Sequence, residues 1–118
     1  MGFKKYKWHK VAESAADIRW AAGGVGEVAV NGKKICIGRF QDGWYGFAHE
    51  CPHAGAPMMD AFVNGACQVV CPVHQLKFSL KNGHDANGEG YSLKMYPVEL
   101  RPDGVFVGVE EGGLFKWF

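Results

Sequence analysis

The chain has 118 residues, 47% apolar and 21% charged, which predicts one domain, residues 1–118, whose core needs no disulfides. A formal net charge of +1 argues against a protein that binds nucleic acid or a membrane surface through accumulated positive charge. Because the sequence shows neither a spanning apolar stretch of about 20 residues nor an export signal, we expect a cytoplasmic protein outside the membrane.

The first predicted element is a short helix, Glu13–Ala22, which is rich in alanine and stops before two glycines. An isolated helix of this length is marginal, so it needs packing against the rest of the domain. Later segments place apolar residues at every second position, as at Val28 and Val30, and this period indicates β-strands. The predicted strands are Val25–Val30, Lys34–Phe40, Trp44–Ala48, Cys67–Cys71, Leu93–Leu100 and Val105–Val109.

Tight turns separate these strands. Asn-Gly pairs begin at positions 31, 64, 82 and 87, and Asp-Gly pairs begin at 42 and 103. Both dipeptides suit the positive φ angles of hairpin turns. Pro97 lies inside a predicted strand and cannot donate a ladder hydrogen bond, so it predicts an edge strand or a bulge there. We therefore expect one all-β domain built from hairpins.

Two short segments each combine a cysteine with a histidine. Cys51-Pro52-His53 comes first, and Cys71-Pro72-Val73-His74 follows after residues 54–70. Each segment stands at the head of a loop that contains turn residues. Two thiolates and two imidazoles at this spacing can converge on one metal centre, because each loop offers one sulfur and one nitrogen ligand.

Two other interpretations of these residues remain open at this point. Four cysteines are too few for a disulfide scaffold, and they can be buried thiols with unrelated histidines nearby. A structural zinc site would accept the same four ligands tetrahedrally. Zinc modules, however, usually pair C-x₂₋₄-C with H-x₃₋₅-H, whereas each segment here mixes one cysteine with one histidine.

The pattern C-x-H, a spacer and C-x-x-H resembles the signature of Rieske [2Fe–2S] proteins, over about Val25 to Val109. The resemblance implies an antiparallel β sandwich or barrel with a small cluster-binding subdomain, whose loops lie at about residues 49–60 and 70–79. It also implies one [2Fe–2S] cluster per chain. Cys51 and Cys71 would bind one iron, and His53 and His74 would bind the other.

Residues beside the ligands place the chain in the low-potential, soluble ferredoxin branch that this family contains. High-potential members carry a disulfide between the positions of Ala56 and Val73, and hydroxyl donors at the positions of Leu76 and Phe78. Hydrogen bonds to cluster sulfur stabilise the reduced state. Without them, the resemblance implies a potential near the low end of the Rieske range, about −150 mV.

One residue departs from the family pattern. A glycine commonly follows the second histidine, and this chain has Gln75 there. If the backbone at that position needs a positive φ, Gln75 is strained. The remaining cysteines, Cys36 and Cys67, lie outside the family's disulfide positions and are expected to be structural thiols. His9 and His49 are expected to lie on the surface or near the site without binding metal.

The segment Asn82–Gly90, which contains His84, resembles the third loop that covers the cluster in this family. Rieske oxygenases add a mononuclear iron site in a second domain, and this chain has no segment of domain size left for one. The resemblance therefore implies an electron carrier without a catalytic site of its own. It would pass one electron from a flavin reductase to a terminal oxygenase or another acceptor, docking through an exposed His53/His74 tip.

Two alternative functions remain. Small Rieske chains resemble the small subunit of nitrite reductase, which stays bound to a large catalytic partner. An exposed apolar patch would mark that surface, and Leu114–Phe118 is the candidate, unless this tail covers the domain's own core. The other alternative is the structural zinc module, which needs no redox chemistry. The sequence leaves the oligomeric state open.

Overall fold

The computed structural model describes residues 5–53, 55–73 and 75–110. These residues form ten strands and two single 3₁₀ turns, at Ala15–Asp17 and Met58–Asp60, so the all-β prediction is confirmed. The strands are β1 (Tyr6–Ala12), β2 (Arg19–Trp20), β3 (Val25–Val30), β4 (Lys33–Phe40), β5 (Gly43–Ala48), β6 (Phe62–Val63), β7 (Gln68–Val70), β8 (Lys77–Ser79), β9 (Met95–Arg101) and β10 (Gly104–Glu110).

The strands form two antiparallel sheets. The large sheet has seven strands in the order β1-β10-β9-β5-β4-β3-β2, and the small one has the order β6-β7-β8. All six predicted strands are present, with ends shifted by up to two residues. Strands β1, β2, β6 and β8 were not predicted. In β1 the lysines and aromatic side chains are partly or fully exposed, so the segment lacks the alternation of a half-buried strand.

The predicted helix Glu13–Ala22 is wrong. Only Ala15–Asp17 forms a 3₁₀ turn, and Arg19 and Trp20 then pair with β3. The Trp20 indole N–H donates to the carbonyl of Ala15 at 2.9 Å, and the Ile18 side chain is buried. These tertiary contacts outweigh the helix propensity of a short alanine-rich segment.

The large sheet buries residues on both of its faces. In β4, Ile35 and Ile37 pack in one core, and Cys36 between them packs in the other. The core that contains Ile35 and Ile37 also contains Val28 of β3 and Val105 of β10. Strands β3 and β10 are four positions apart in the sheet. The sheet must therefore curl around this core, as the predicted sandwich or barrel requires.

The second core joins the large sheet to a small subdomain. Phe47 of β5 packs there with Phe78 of β8 and Met58 of the second 3₁₀ turn, all with no exposed surface. The two segments that each combine a cysteine with a histidine begin at this junction, after the ends of β5 and β7. The small sheet thus fixes two loops against the rim of the large one.

Pro97 lies in an interior strand, so the prediction of an edge is wrong. Strand β9 pairs with β5 through residues 95–97 and with β10 through residues 98–101. Pro97 therefore stands where the strand changes partners, and its missing N–H interrupts the ladder at that point. Its ring lies over Gly108 of β10, where a Cβ atom would approach within 3.0 Å.

No helix among the described residues is long and apolar enough to cross a membrane. The aromatic segment Leu114–Phe118 lies outside the described residues.

Candidate metal centre

Two loops of the same form carry the Cys and His segments. In the first, the N–H of Cys51 donates to the carbonyl of Ala56 at 2.9 Å; in the second, the N–H of Cys71 donates to the carbonyl of Leu76 at 2.8 Å. Each bond joins the cysteine to the fifth residue after it. The two loops, at residues 49–57 and 71–76, thus present their cysteines in the same way.

The equivalence extends to the fourth residue after each cysteine. Gly55 has φ +70° in the first loop, and Gln75 has φ +53° in the second. Glycine adopts this left-handed conformation without steric cost, whereas glutamine does not. The backbone strain foreseen at Gln75 is therefore present, and the side chain of this residue is exposed.

Adding a glycine at position 75 and removing the glycine at position 55 should change the free energy of unfolding in opposite directions. We expect Gln75→Gly to stabilise the protein by about 1 kcal/mol, because it removes the left-handed strain. Gly55→Ala should destabilise it by a similar amount, since its methyl group would meet no heavy atom within 4 Å and only the backbone is affected. Thermal unfolding under anaerobic conditions measures both shifts, and a lower midpoint for Gln75→Gly contradicts the argument.

The two loop cysteines lie together and are buried. Cys51 is 2% exposed and Cys71 is 0% exposed. Burial raises the pKa of the Cys71 thiol. The backbone N–H of Val73 donates a hydrogen bond to the Cys71 sulfur and lowers this pKa, whereas a hydrogen bond with the Cys51 side chain raises it further. The sulfurs are thus within contact of each other, at a spot where a backbone amide already favours a thiolate.

His53 is more exposed than either loop cysteine. It is partly exposed, and its imidazole meets the Tyr91 ring edge-on, with centroids 4.9 Å apart and planes at 79°. His74 and Ala54 lie outside the described residues. Among the residues that are described, no group of three or more metal-ligating side chains converges on one point. That is compatible with a two-iron centre, in which the sulfur ligands and the nitrogen ligands bind different metal atoms.

A third loop, residues 80–94, supplies Tyr91. Its shape depends on Asp85, whose Oδ1 accepts from the N–H of Glu89 at 3.0 Å and whose Oδ2 accepts from the N–H of Tyr91 at 2.7 Å. A loop is present where the covering loop was predicted, at Asn82–Gly90, but its contact with His53 is made by Tyr91, just after that segment. The sequence reasoning missed both residues. The signal was an Asp before a Gly-rich turn, followed by an aromatic residue.

The third loop should loosen in acid. Backbone N–H groups, that of Glu89 foremost, lower the pKa of Asp85 below the usual 3.8. Because the pKa of Asp85 is lower in the folded protein than in the unfolded chain, its hydrogen bonds stabilise the folded protein fully above pH 3.8. This stabilisation is lost as the pH falls through the pKa of the folded state. We expect the melting temperature of Asp85→Asn to fall less steeply than that of the parent protein below pH 4. Parallel curves from pH 3 to pH 6 would contradict this role.

The positions used to assign the low-potential branch are apolar in the structure as well. Leu76 is 4% exposed and Phe78 is 0% exposed, and both pack in the core below the loops. Neither side chain can donate a hydrogen bond to a ligand sulfur. The Val73 N–H takes that role towards Cys71.

The other two cysteines are free and buried, as expected of structural thiols. Burial, with a smaller effect of Glu27, raises the pKa of Cys36 to about 12. Cys67 has φ +61° before β7, and its side chain hydrogen-bonds Tyr45. Burial foremost, together with this Cys67 contact, raises the pKa of Tyr45.

The remaining histidines have partners of their own. His49 Nε2 lies 3.2 Å from a carboxylate oxygen of Glu27, and His84 Nδ1 lies 3.3 Å from the Ser92 hydroxyl. His9 lies in β1, which pairs with β10 at the outer edge of the large sheet. The donor set at the loops, two adjacent buried thiols and an outer imidazole, fits a mixed sulfur and nitrogen cluster.

Comparison with known proteins gives the same assignment. The family model described as "Rieske [2Fe-2S] domain" matches residues 7–97. The ferredoxin component of the naphthalene 1,2-dioxygenase/salicylate 5-hydroxylase systems of Ralstonia sp is 32% identical over 89 residues, covering 75% of this chain and 85% of that protein. The corresponding component of the naphthalene 1,2-dioxygenase system of Pseudomonas aeruginosa is 29% identical over 81 residues, covering 68% of this chain and 77% of that protein.

Solved structures share the fold. A chain from the complex of reduced oxygenase and oxidised ferredoxin in carbazole 1,9a-dioxygenase superposes with a TM-score of 0.69 at 25% identity, covering 85% of this chain and 91% of that one. A protein described as the small subunit of an NADH-dependent nitrite reductase from Mycobacterium tuberculosis gives 0.74 at 21% identity, covering 89% and 96%. The family match sets aside the zinc module, and the chain belongs to the Rieske [2Fe–2S] domain family and binds one such cluster.

Proposed function

We propose that this protein carries single electrons from a flavin reductase to a terminal oxygenase, with Cys51 and Cys71 on one iron and His53 and His74 on the other. The observation that supports the ligand set best is the equivalence of the two loops, which brings the Cys51 and Cys71 thiols together. We further propose that residues 1–118 act as a single domain in the cytoplasm, with no catalytic site.

The relatives support the choice of partners. Both curated proteins named above are ferredoxin components of oxygenase systems, and the carbazole structure holds a ferredoxin together with its oxygenase. Since this chain covers most of their length, the same place in an electron chain suits it. The nitrite reductase subunit, at lower identity, supports the fold alone.

The residues that would hold the cluster differ in their exposure to solvent. When bound, the cluster accepts and releases one electron. Cys51 and Cys71 face the core and exclude water from the sulfur side. His53 reaches the partly exposed side, where a partner can approach its imidazole. Tyr91 of the third loop packs edge-on against the His53 imidazole and so limits the rotation of that ring.

The test begins with electron paramagnetic resonance of the purified protein, before and after dithionite. A silent oxidised sample that gives a rhombic signal with average g below about 2 after reduction supports mixed sulfur and nitrogen ligation. The reductase and oxygenase of a naphthalene dioxygenase system then serve as partners. We expect NADH-dependent reduction of the chain and reoxidation by the oxygenase.

Two results would overturn this proposal. The first is a rhombic signal that is unchanged in the His53→Ala variant. Such a result would show that His53 is not a ligand of the cluster. The second is a chain that elutes only with a large catalytic subunit and exchanges no electron with either dioxygenase partner. That outcome would favour a permanent subunit of the nitrite reductase kind.

A further inference from the structure

An open groove lies beside the first loop. Its volume is about 860 Å³, and its lining includes Cys51 and Gly55 of the first loop. Three lysines, Lys33, Lys34 and Lys94, line it as well. A molecule that fills this groove therefore touches the loop that carries Cys51 and His53.

Two of the three lysines lie near one buried aromatic ring. Lys33 follows the turn between β3 and β4, and Lys94 immediately precedes β9. Their Nζ atoms lie 5.8 Å and 5.9 Å from the centroid of the same Tyr96 ring, which also lines the groove. Cation–π attraction from this one ring draws two ammonium groups towards the groove.

The carboxylates nearest to two of these lysines are less exposed than the lysines. Lys34 Nζ is 3.9 Å from Glu27, but the lysine side chain is 64% exposed and the glutamate only 19%. Lys94 Nζ is 4.0 Å from Glu110, with 58% and 37% exposure. In both pairs the ammonium group reaches further into solvent than the carboxylate.

Only one acidic residue, Glu50, is among the described residues that line the groove, against the three lysines. Glu27 and Glu110 contact two of these lysines from outside the lining and are the less exposed members of those pairs. Positive charge gathered next to a docking point steers a negatively charged partner and fixes its orientation.

We propose that this groove is the docking surface for an acidic face of a redox partner protein, which the three lysines seat against the first loop. The inference rests on the proposed electron-transfer function and names the kind of surface that the partner presents. A protein bound there has its acidic face on the lysines and contacts the first loop at Cys51 and Gly55, on either side of His53 in the chain.

The first test measures the field of the groove with small oxidants. Dithionite-reduced protein is mixed with ferricyanide, a trianion, or with hexaammineruthenium(III), a trication, each of which takes one electron. The variant is Lys33→Gln/Lys34→Gln/Lys94→Gln. At low salt we expect it to lower the ferricyanide rate by about tenfold and to raise the rate with the ruthenium complex. Near 0.5 M salt both differences should shrink.

A charge-matched control separates the groove from overall charge. Lys10→Gln/Arg39→Gln/Arg101→Gln removes three exposed cations at the opposite end of the large sheet's strands from the groove. We expect its rates with both oxidants to stay within about twofold of those of the parent protein. Equal effects of the two triple variants would overturn the proposal, because net charge alone would then explain the rates.

The second test uses an acidic protein as the probe. Reduced flavodoxin gives one electron to the oxidised chain, and the groove variant should accept it about tenfold more slowly at low salt than the control variant does. An unchanged flavodoxin rate overturns the docking surface even if ferricyanide responds. If the parent protein exchanges no electron with any probe, the proposed function itself fails, and this outcome is distinct from the other two.

Discussion

Replacement of Cys71 by alanine is expected to give protein without iron. The cysteine is fully buried beside Cys51, and the Val73 N–H already points at its sulfur. No other side chain can take its place, because the second loop offers only one thiol between residues 71 and 76. Iron analysis and the visible absorption of the purified variant measure the loss.

Cys36→Ala is the matched control for that variant. Cys36 is equally buried, but it lies inside β4 with its side chain in the core. We expect Cys36→Ala to keep its iron and to lose about 1–2 kcal/mol of unfolding free energy from the small cavity. If Cys71→Ala retains a full complement of iron, the proposed ligand set is wrong.

His53→Cys should keep a cluster and lower its reduction potential by about 100 mV or more. A neutral imidazole is replaced by a thiolate, so the centre carries one more negative charge in both oxidation states. Adding an electron then costs more, and the all-cysteine centres of plant-type ferredoxins lie near −400 mV where Rieske centres begin near −150 mV.

Redox titration followed by electron paramagnetic resonance measures the shift. His84→Cys is the control, because His84 is an exposed residue of the third loop that contacts Ser92. We expect its potential to equal that of the parent protein. A His53→Cys variant with an unchanged potential would contradict the charge argument and the assignment of His53.

The site was largely predictable because its signals are local. Cys51 and His53 stand two residues apart, as one short loop requires, and the β-rich surroundings follow from two-residue periodicity and Asn-Gly turns. The conformation of Gln75 was also foreseen, since a loop of given form imposes its φ on whichever residue occupies it. Fold class and loop positions come from such short-range patterns.

What escaped prediction depends on contacts between distant residues. Trp20 becomes part of a strand because its indole and its β3 neighbours hold it there, and no local pattern contains that information. Pro97 fits an interior strand only because β9 changes partners at that residue. The contact of Tyr91 with His53 spans two loops, so it required the structure.

The buried position of Cys36 makes its thiol a built-in probe of how often the protein opens. Its thiol is buried in the core that joins the large sheet to the small subdomain, and its pKa of about 12 keeps it protonated at neutral pH. An alkylating reagent needs the thiolate, and it can reach this one only when the strands around it separate. The rate at which a mild reagent labels Cys36 in native protein therefore reports how often the strands around this core separate.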